Sequence, residues 1–124
     1  MLNLDYRAAR PIYEQVRDGL RRLVVSGAIA QGEKLPSVRS LASSLAINPN
    51  TIQRAYEALE EEGYVHTEAG KGSFAAQGAD VEPARRTELF TRFDQVAGEL
   101  FFVGVGPGEL CERLTTLSRG GSAL

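Results

Sequence analysis

An α+β fold is predicted for this chain of 124 residues, and three observations predict it. The stretch 34–56 reads as two short helices joined by a tight turn. Directly after it, two short runs at 64–68 and 73–76 bracket Ala69-Gly70-Lys71-Gly72 and read as a β-hairpin with a glycine-bearing tip. Beyond a polar stretch, apolar residues recur at helical spacing through two further segments. The expected organisation is a winged helix-turn-helix domain over 1–77, a linker over 78–83 and a helical dimerisation region over 84–124.

The elements follow in order. Residues 1–10 read as an extended lead-in. Pro11 opens a helix with Ile12, Val16, Leu20, Leu23 and Val24 on one face, and Arg17, Arg21 and Arg22 on or near a solvated one. Gly27 supplies the left-handed position that ends this helix near Ser26. Residues 30–33 read as a turn. Pro36 suits the first turn of the next helix, where a missing N–H costs nothing, and Leu41, Ala42 and Leu45 form its apolar stripe. That helix should end near Leu45-Ala46. Asn48 before Pro49 reads as an N-cap followed by proline at the first helical position.

In the helix that follows, Ile52, Tyr56 and Leu59 recur at i, i+4, i+7 and define a buried face. Asn50, Gln53, Arg54 and Glu57 take the opposite side, and Gly63 ends the helix. Tyr13 and Tyr56 read as core residues with hydroxyls at the rim, and His66 as inert in a wing strand. A helix buried on one side and lined with Asn, Gln and Arg on the other, behind a short helix and turn, is the layout of a helix-turn-helix DNA reader. The hairpin adds a wing whose tip glycines allow positive φ, with Lys71 projecting a charge between them.

In the last third, Leu89, Phe90, Phe93, Val96, Leu100 and Phe101 recur at helical spacing over 84–103. The run 104–108 breaks that helix, and Leu110, Leu114 and Leu117 align on a second one over 109–118. Roughly forty residues in two helices do not bury a full core alone. A second copy of the chain is therefore the expected cover for these apolar faces, with a small lipophilic pocket as the alternative. The end, 120–124, is expected to fray. The glycines at 104–108 lack the Gly-Lys-Ser/Thr ending of a phosphate loop.

Composition narrows the function. The formal net charge is −2, which does not suit a broadly basic, nonspecific nucleic-acid binder. The charge is unevenly placed, however. Lys34, Arg39 and Arg54 are the charged residues of 34–56, while Glu57, Glu60, Glu61 and Glu62 follow just beyond. One cysteine, Cys111, and one histidine, His66, leave no disulfide, no histidine-rich metal site and no Ser/His/Asp set. Neither an enzyme nor a cofactor is expected. No apolar run reaches the roughly 20 residues that span a bilayer, so a cytoplasmic protein away from the membrane is expected. Two classes remain: a dimeric DNA-binding regulator, and a winged-helix protein-interaction module without DNA. The polar Asn/Gln/Arg face favours the first, since an interaction surface would show apolar residues there.

Residues 11–74 resemble the N-terminal domain of the GntR family of transcription regulators. The motifs that carry the resemblance are Gly32-Glu33-Lys34-Leu35-Pro36-Ser37-Val38-Arg39, Leu41-Ala42, Asn48-Pro49-Asn50-Thr51, Ala55-Tyr56, Leu59-Glu60, Glu62-Gly63 and Gly70-Lys71-Gly72-Ser73-Phe74. The Pro-Ile-Tyr-Glu-Gln opening and the short two-helix tail are similar to the YtrA-like subfamily. The resemblance implies a homodimeric repressor on a palindromic double-stranded DNA operator, often beside transporter genes. It places DNA contacts on Ser37 and Arg39, on Asn48, Asn50, Thr51, Gln53 and Arg54, and on Gly70, Lys71 and Gly72. Some relatives carry arginines where this chain has Pro49 and Gln53, so operator preference should differ. Larger relatives add an effector domain that this tail is too short to supply. A small-molecule effector at the dimer interface is left open, unnamed.

Overall fold

The computed structural model describes residues 2–78 and 81–120. Along them run α1 (Ile12–Ser26), α2 (Val38–Leu45), α3 (Pro49–Glu62), β1 (Val65–Glu68), β2 (Gly72–Ala75), α4 (Pro83–Phe102) and α5 (Pro107–Gly120). They divide into two units, Met1–Glu82 and Pro83–Leu124.

In the first unit α3 is the central element, packed against α1, α2 and β1. Its Ile52, Ala55, Tyr56 and Leu59 are buried, as the i, i+4, i+7 spacing predicts. They meet Val16 and Leu20 of α1, Leu41 and Ala42 of α2, and Leu35, Tyr64, Val65 and Ala75. Each fully buried aliphatic side chain contributes about 1.5–3 kcal/mol relative to exposure. This one cluster therefore fixes how α2, α3 and the hairpin are held.

Local chemistry sets the helix ends. Gly27 and Gly63 close α1 and α3 with φ of 84° and 90°. Asn48 caps α3 through its Oδ1, which accepts from the Asn50 N–H at 2.8 Å, and Pro49 follows at the first helical position. At α2 the structure differs from expectation. Ser37 is extended and its Oγ accepts from the Ser40 N–H at 3.0 Å, so Ser37 is the cap and Pro36 lies just before the helix. The hydroxyl satisfies an orphan amide that a proline in the first turn leaves open, and the cap wins.

The hairpin is antiparallel, pairing Val65 with Ala75, His66 with Phe74, Thr67 with Ser73 and Glu68 with Gly72. It also has a third edge that the sequence did not announce. Lys34 bridges Phe74, the Leu35 N–H donates to the Ser73 carbonyl at 2.8 Å, and the Gly32 N–H donates to the Ala75 carbonyl at 2.8 Å. Residues 32–35, expected in part as a plain turn, thus join the wing.

The expected linker, 78–83, is attached to the first unit at Val81 and Glu82, while Pro83 already opens α4 in the second unit. Val81 packs on the core, and the Glu82 N–H donates to the Glu62 carbonyl at 2.9 Å. Ala79 and Asp80 of that stretch lie outside the described residues, as does 121–124 of the end expected to fray.

In the second unit, α4 closes at Gly104, whose φ is 99°, and the Val105 N–H returns to the Leu100 carbonyl at 2.9 Å. Leu89, Phe90, Phe93, Val96, Phe101, Leu114 and Leu117 are all exposed in the single chain, and Leu100 and Leu110 are half-buried.

Candidate nucleic-acid interface

The residues expected to face a ligand sit on three pieces of the first unit. The Ser37 cap starts α2, so Arg39 falls on its first turn with its side chain in solvent. Ala46 ends α2 in the left-handed region at φ 56°, and its N–H and that of Ile47 return to α2 carbonyls. That reversal delivers the chain to the Asn48 cap. Asn50, Gln53 and Arg54 are then exposed on α3 and Thr51 is half-buried. The wing tip carries Gly70 at φ 76° and Gly72 at φ 115°, with Lys71 exposed between them.

Two of these pieces are tied closely. The Tyr56 hydroxyl donates to the Pro36 carbonyl at 2.6 Å, which holds the entry to α2 against the middle of α3. Burial pushes that phenol up to about 12, so it remains a donor throughout the neutral range. The wing is anchored elsewhere, through the Thr67 N–H, which donates to Glu60 Oε2 at 2.9 Å. Among the described residues, no hydrogen bond or ion pair joins the wing tip to the first turns of α3.

The charges separate into two kinds. Arg10, ahead of α1, and Arg17 and Arg21 on it all pair with Asp18, and Arg21 also pairs with Glu62 at 2.8 Å. Arg21, read from sequence as solvated, is thus largely buried and spans α1 and α3, with its guanidinium 5.7 Å from the Tyr64 ring centroid. Burial pushes the Asp18 carboxyl up, but hydrogen bonds from Arg10 and Arg17 and the charges of Arg17 and Arg21 outweigh it and hold it below its ordinary value. By contrast Lys34, Arg39, Arg54 and Lys71 form no ion pair among the described residues, and outside the expected interface neither do Arg7 and Arg22. The acids that follow α3's exposed face are partly committed. Glu60 holds the wing, Glu62 holds Arg21, and Glu57 accepts from Gln53 Nε2 at 3.1 Å.

Lys34 is a member of this surface that the expected set omitted. Its side chain lies across Gly72, where an added Cβ would come within 2.7 Å of Lys34 Cε. The missing signal was long-range: Lys34 reaches the wing only because it bridges Phe74. His66 lies against Phe74 with ring centroids 5.6 Å apart.

Tyr13 is also placed differently from a plain core residue. It is half-buried, and the Arg54 guanidinium carbon lies 3.7 Å from its ring centroid. With Pro11, Ile12, Asn50 and Thr51 these two residues line an open groove between the starts of α1 and α3. Among the described residues no cluster of His, Cys, Asp and Glu could hold a metal, and no helix is long and apolar enough to cross a membrane.

Comparison with known proteins bears on this surface. Residues 12–74 match the profile described as "Bacterial regulatory proteins, gntR family". The chain is 33% identical to the HTH-type transcriptional repressor YtrA of Bacillus subtilis (strain 168), over 95% of this chain and 92% of that one. A crystal structure described as a transcriptional antiterminator from Listeria monocytogenes EGD-e superposes with a TM-score of 0.74 at 31% identity, covering 100% of this chain and 94% of the other. AraR(DBD), solved in complex with operator ORR3, superposes with a TM-score of 0.54 at 26% identity, over 60% of this chain and 89% of the other.

Proposed function

Because the chain belongs to the gntR family of bacterial regulatory proteins, as a DNA-binding transcriptional regulator of the YtrA type, we propose that it is a homodimeric repressor acting on an inverted-repeat operator in the cytoplasm. The observation that carries the reading is the set of cations on α2, α3 and the wing, Lys34, Arg39, Arg54 and Lys71, that form no ion pair among the described residues, whereas Arg10, Arg17 and Arg21 are tied to Asp18. A phosphate backbone attracts such charges, and each one that neutralises a phosphate releases counterions.

In this reading α3 enters the major groove. Asn50 and Gln53 pair with adenine edges, Thr51 meets a phosphate or a thymine methyl, and Arg39 clamps guanine or phosphate. Asn48 is committed by its Oδ1 to the α3 cap, which leaves its amide nitrogen as the group it can offer. Ser37 positions Arg39 by capping α2. Gly70 and Gly72 let the wing backbone approach a flanking phosphate strand, with Lys71 and Lys34 supplying charge. The exposed apolar faces of α4 and α5 support dimerisation, because soluble chains seldom leave such stripes uncovered. Repression is supported by the similarity to YtrA of Bacillus subtilis, a transcriptional repressor.

The test is a binding selection from genomic fragments with the purified protein at fixed salt. The expected product is an inverted repeat whose half-sites lie about 34–36 Å, or a multiple of that, apart. Enrichment of isolated half-sites would overturn the dimer, and no enrichment by folded protein would overturn operator binding.

A further inference from the structure

The closest approach of a cation to an aromatic ring in the first unit is that of Arg54, 3.7 Å from the centroid of Tyr13. Arg17 approaches the same ring at 5.9 Å but is paired with Asp18 at 3.0 Å. Among the described residues Arg54 has no carboxylate partner, and the ring is the group that orders it. At that separation the guanidinium carbon lies over the ring face. Stacking uses the π face of a guanidinium and leaves the N–H donors, which lie in its plane, free for other acceptors. An ion pair would have oriented the side chain too, but at the expense of its charge and donors, as at Arg21.

The location matters as much as the contact. Arg54 stands one turn beyond Asn50 on the exposed side of α3, and Tyr13 comes from the first turn of α1. The guanidinium is thus drawn toward the α1 edge of α3 and into the groove shared with Pro11, Ile12, Asn50 and Thr51. With α3 in the major groove, as proposed above, a sugar-phosphate strand runs along that edge. We infer that Tyr13 is a positioning residue for DNA binding, an aromatic platform that holds Arg54 ready to fork onto a backbone phosphate. The inference rests on the operator-binding reading above. It adds a residue on α1 that need not touch DNA itself.

The platform lowers the number of rotamers Arg54 must give up on binding, so its loss should be felt as affinity. The first arm needs no DNA. In NMR spectra of the free, full-length protein, the Arg54 Hδ and Hε resonances should be shifted upfield by the Tyr13 ring current. The shift should persist in Tyr13→Phe and vanish in Tyr13→Leu. Tyr13→Met serves the same arm if the leucine variant is poorly folded.

The second arm is fluorescence anisotropy at fixed salt with the duplex enriched in the fragment selection and a scrambled duplex of equal length. Tyr13→Leu should weaken binding to both by about three- to tenfold, and Tyr13→Phe should restore it. In an Arg54→Ala background, Tyr13→Leu should cost nothing further. Arg54→Ala itself should make the slope of log affinity against log salt shallower by about one. Equal losses from Tyr13→Leu in both backgrounds would make the tyrosine merely structural. An Arg54→Ala variant that binds like wild type would overturn the platform and leave operator binding intact. A wild-type protein that shows the ring-current shift but binds neither duplex would overturn both readings.

Discussion

The Tyr56 hydroxyl donates to the Pro36 carbonyl at 2.6 Å, and this bond fastens α3 to the residue just ahead of the α2 cap. Ser37 and Arg39 inherit their positions from it. Tyr56→Phe removes the donor and leaves the carbonyl without its partner, at a cost of about 1 kcal/mol in urea unfolding. The alkaline limb follows in sign. Burial raises the folded phenol to about 12, so its contribution is fully present below the unfolded value and is lost as pH climbs toward about 12. Wild type should lose stability over that window more steeply than Tyr56→Phe.

Gly72 is constrained twice, by a φ of 115° and by Lys34 Cε lying 2.7 Å from where a Cβ would stand. Gly72→Ala should destabilise the protein by about 1–3 kcal/mol through backbone strain and push Lys34 off the wing. Lys34→Ala and Lys71→Ala, by contrast, should leave the urea midpoint unchanged. Each should make the slope of log affinity against log salt shallower by about 0.9 if it neutralises one phosphate.

Asp18 of α1 joins Arg10, Arg17 and Arg21. Its carboxyl is held below the ordinary value in the folded state, so its contribution is present above the unfolded value near about 3.9 and disappears as pH falls through the folded one. Asp18→Asn should therefore cost roughly 1–2 kcal/mol at neutral pH and progressively less below about pH 4. Chemical denaturation at a series of pH values reads this directly, and a pH-independent difference would contradict it.

Features written in adjacent residues were legible in the sequence. Asn48-Pro49 announces a cap, and Gly27 and Gly63 announce helix ends, because the physics of each spans a turn or less. The α2 start was misplaced because Pro36 and Ser37 are both start signals one residue apart, and only the hydrogen bond to the Ser40 amide decides between them. Lys34 on the wing and Tyr13 beneath Arg54 could not be read at all. Periodicity reports which face of an element is buried, not which side chain from a distant element meets it. The same limit explains Arg21, whose partner Glu62 lies on another helix.

Arg39 and Arg21 make a contrasting pair for mutagenesis. Arg39 is exposed on the first turn of α2 without an ion pair among the described residues, whereas Arg21 bridges Asp18 and Glu62. Arg39→Ala should lower specific binding by about 1–3 kcal/mol in anisotropy titrations while shifting stability by less than about 0.5 kcal/mol. Arg21→Ala should do the reverse, costing roughly 1–2 kcal/mol of stability with little direct effect on DNA affinity. Equal behaviour of the two variants would remove the argument that uncommitted cations mark the interface.

Phe93 tests what the second unit is for. It is 46% exposed in the single chain, beside Leu89, Phe90 and Val96 on α4, and Leu114 and Leu117 of α5 are exposed as well. An aspartate there places a charge that would have to be desolvated on dimerisation without a partner, and that cost exceeds what one apolar contact returns. The first unit keeps its own core, so its fold should survive, with circular dichroism of the Phe93→Asp variant close to wild type. Sedimentation should shift from dimer to monomer. Affinity for the enriched inverted repeat should fall by about a hundredfold or more, because the second half-site is no longer bound intramolecularly. Affinity for an isolated half-site should not change. A variant that stays dimeric with full affinity would show that these faces do not hold the two copies, and the exposed phenylalanines would then need another occupant.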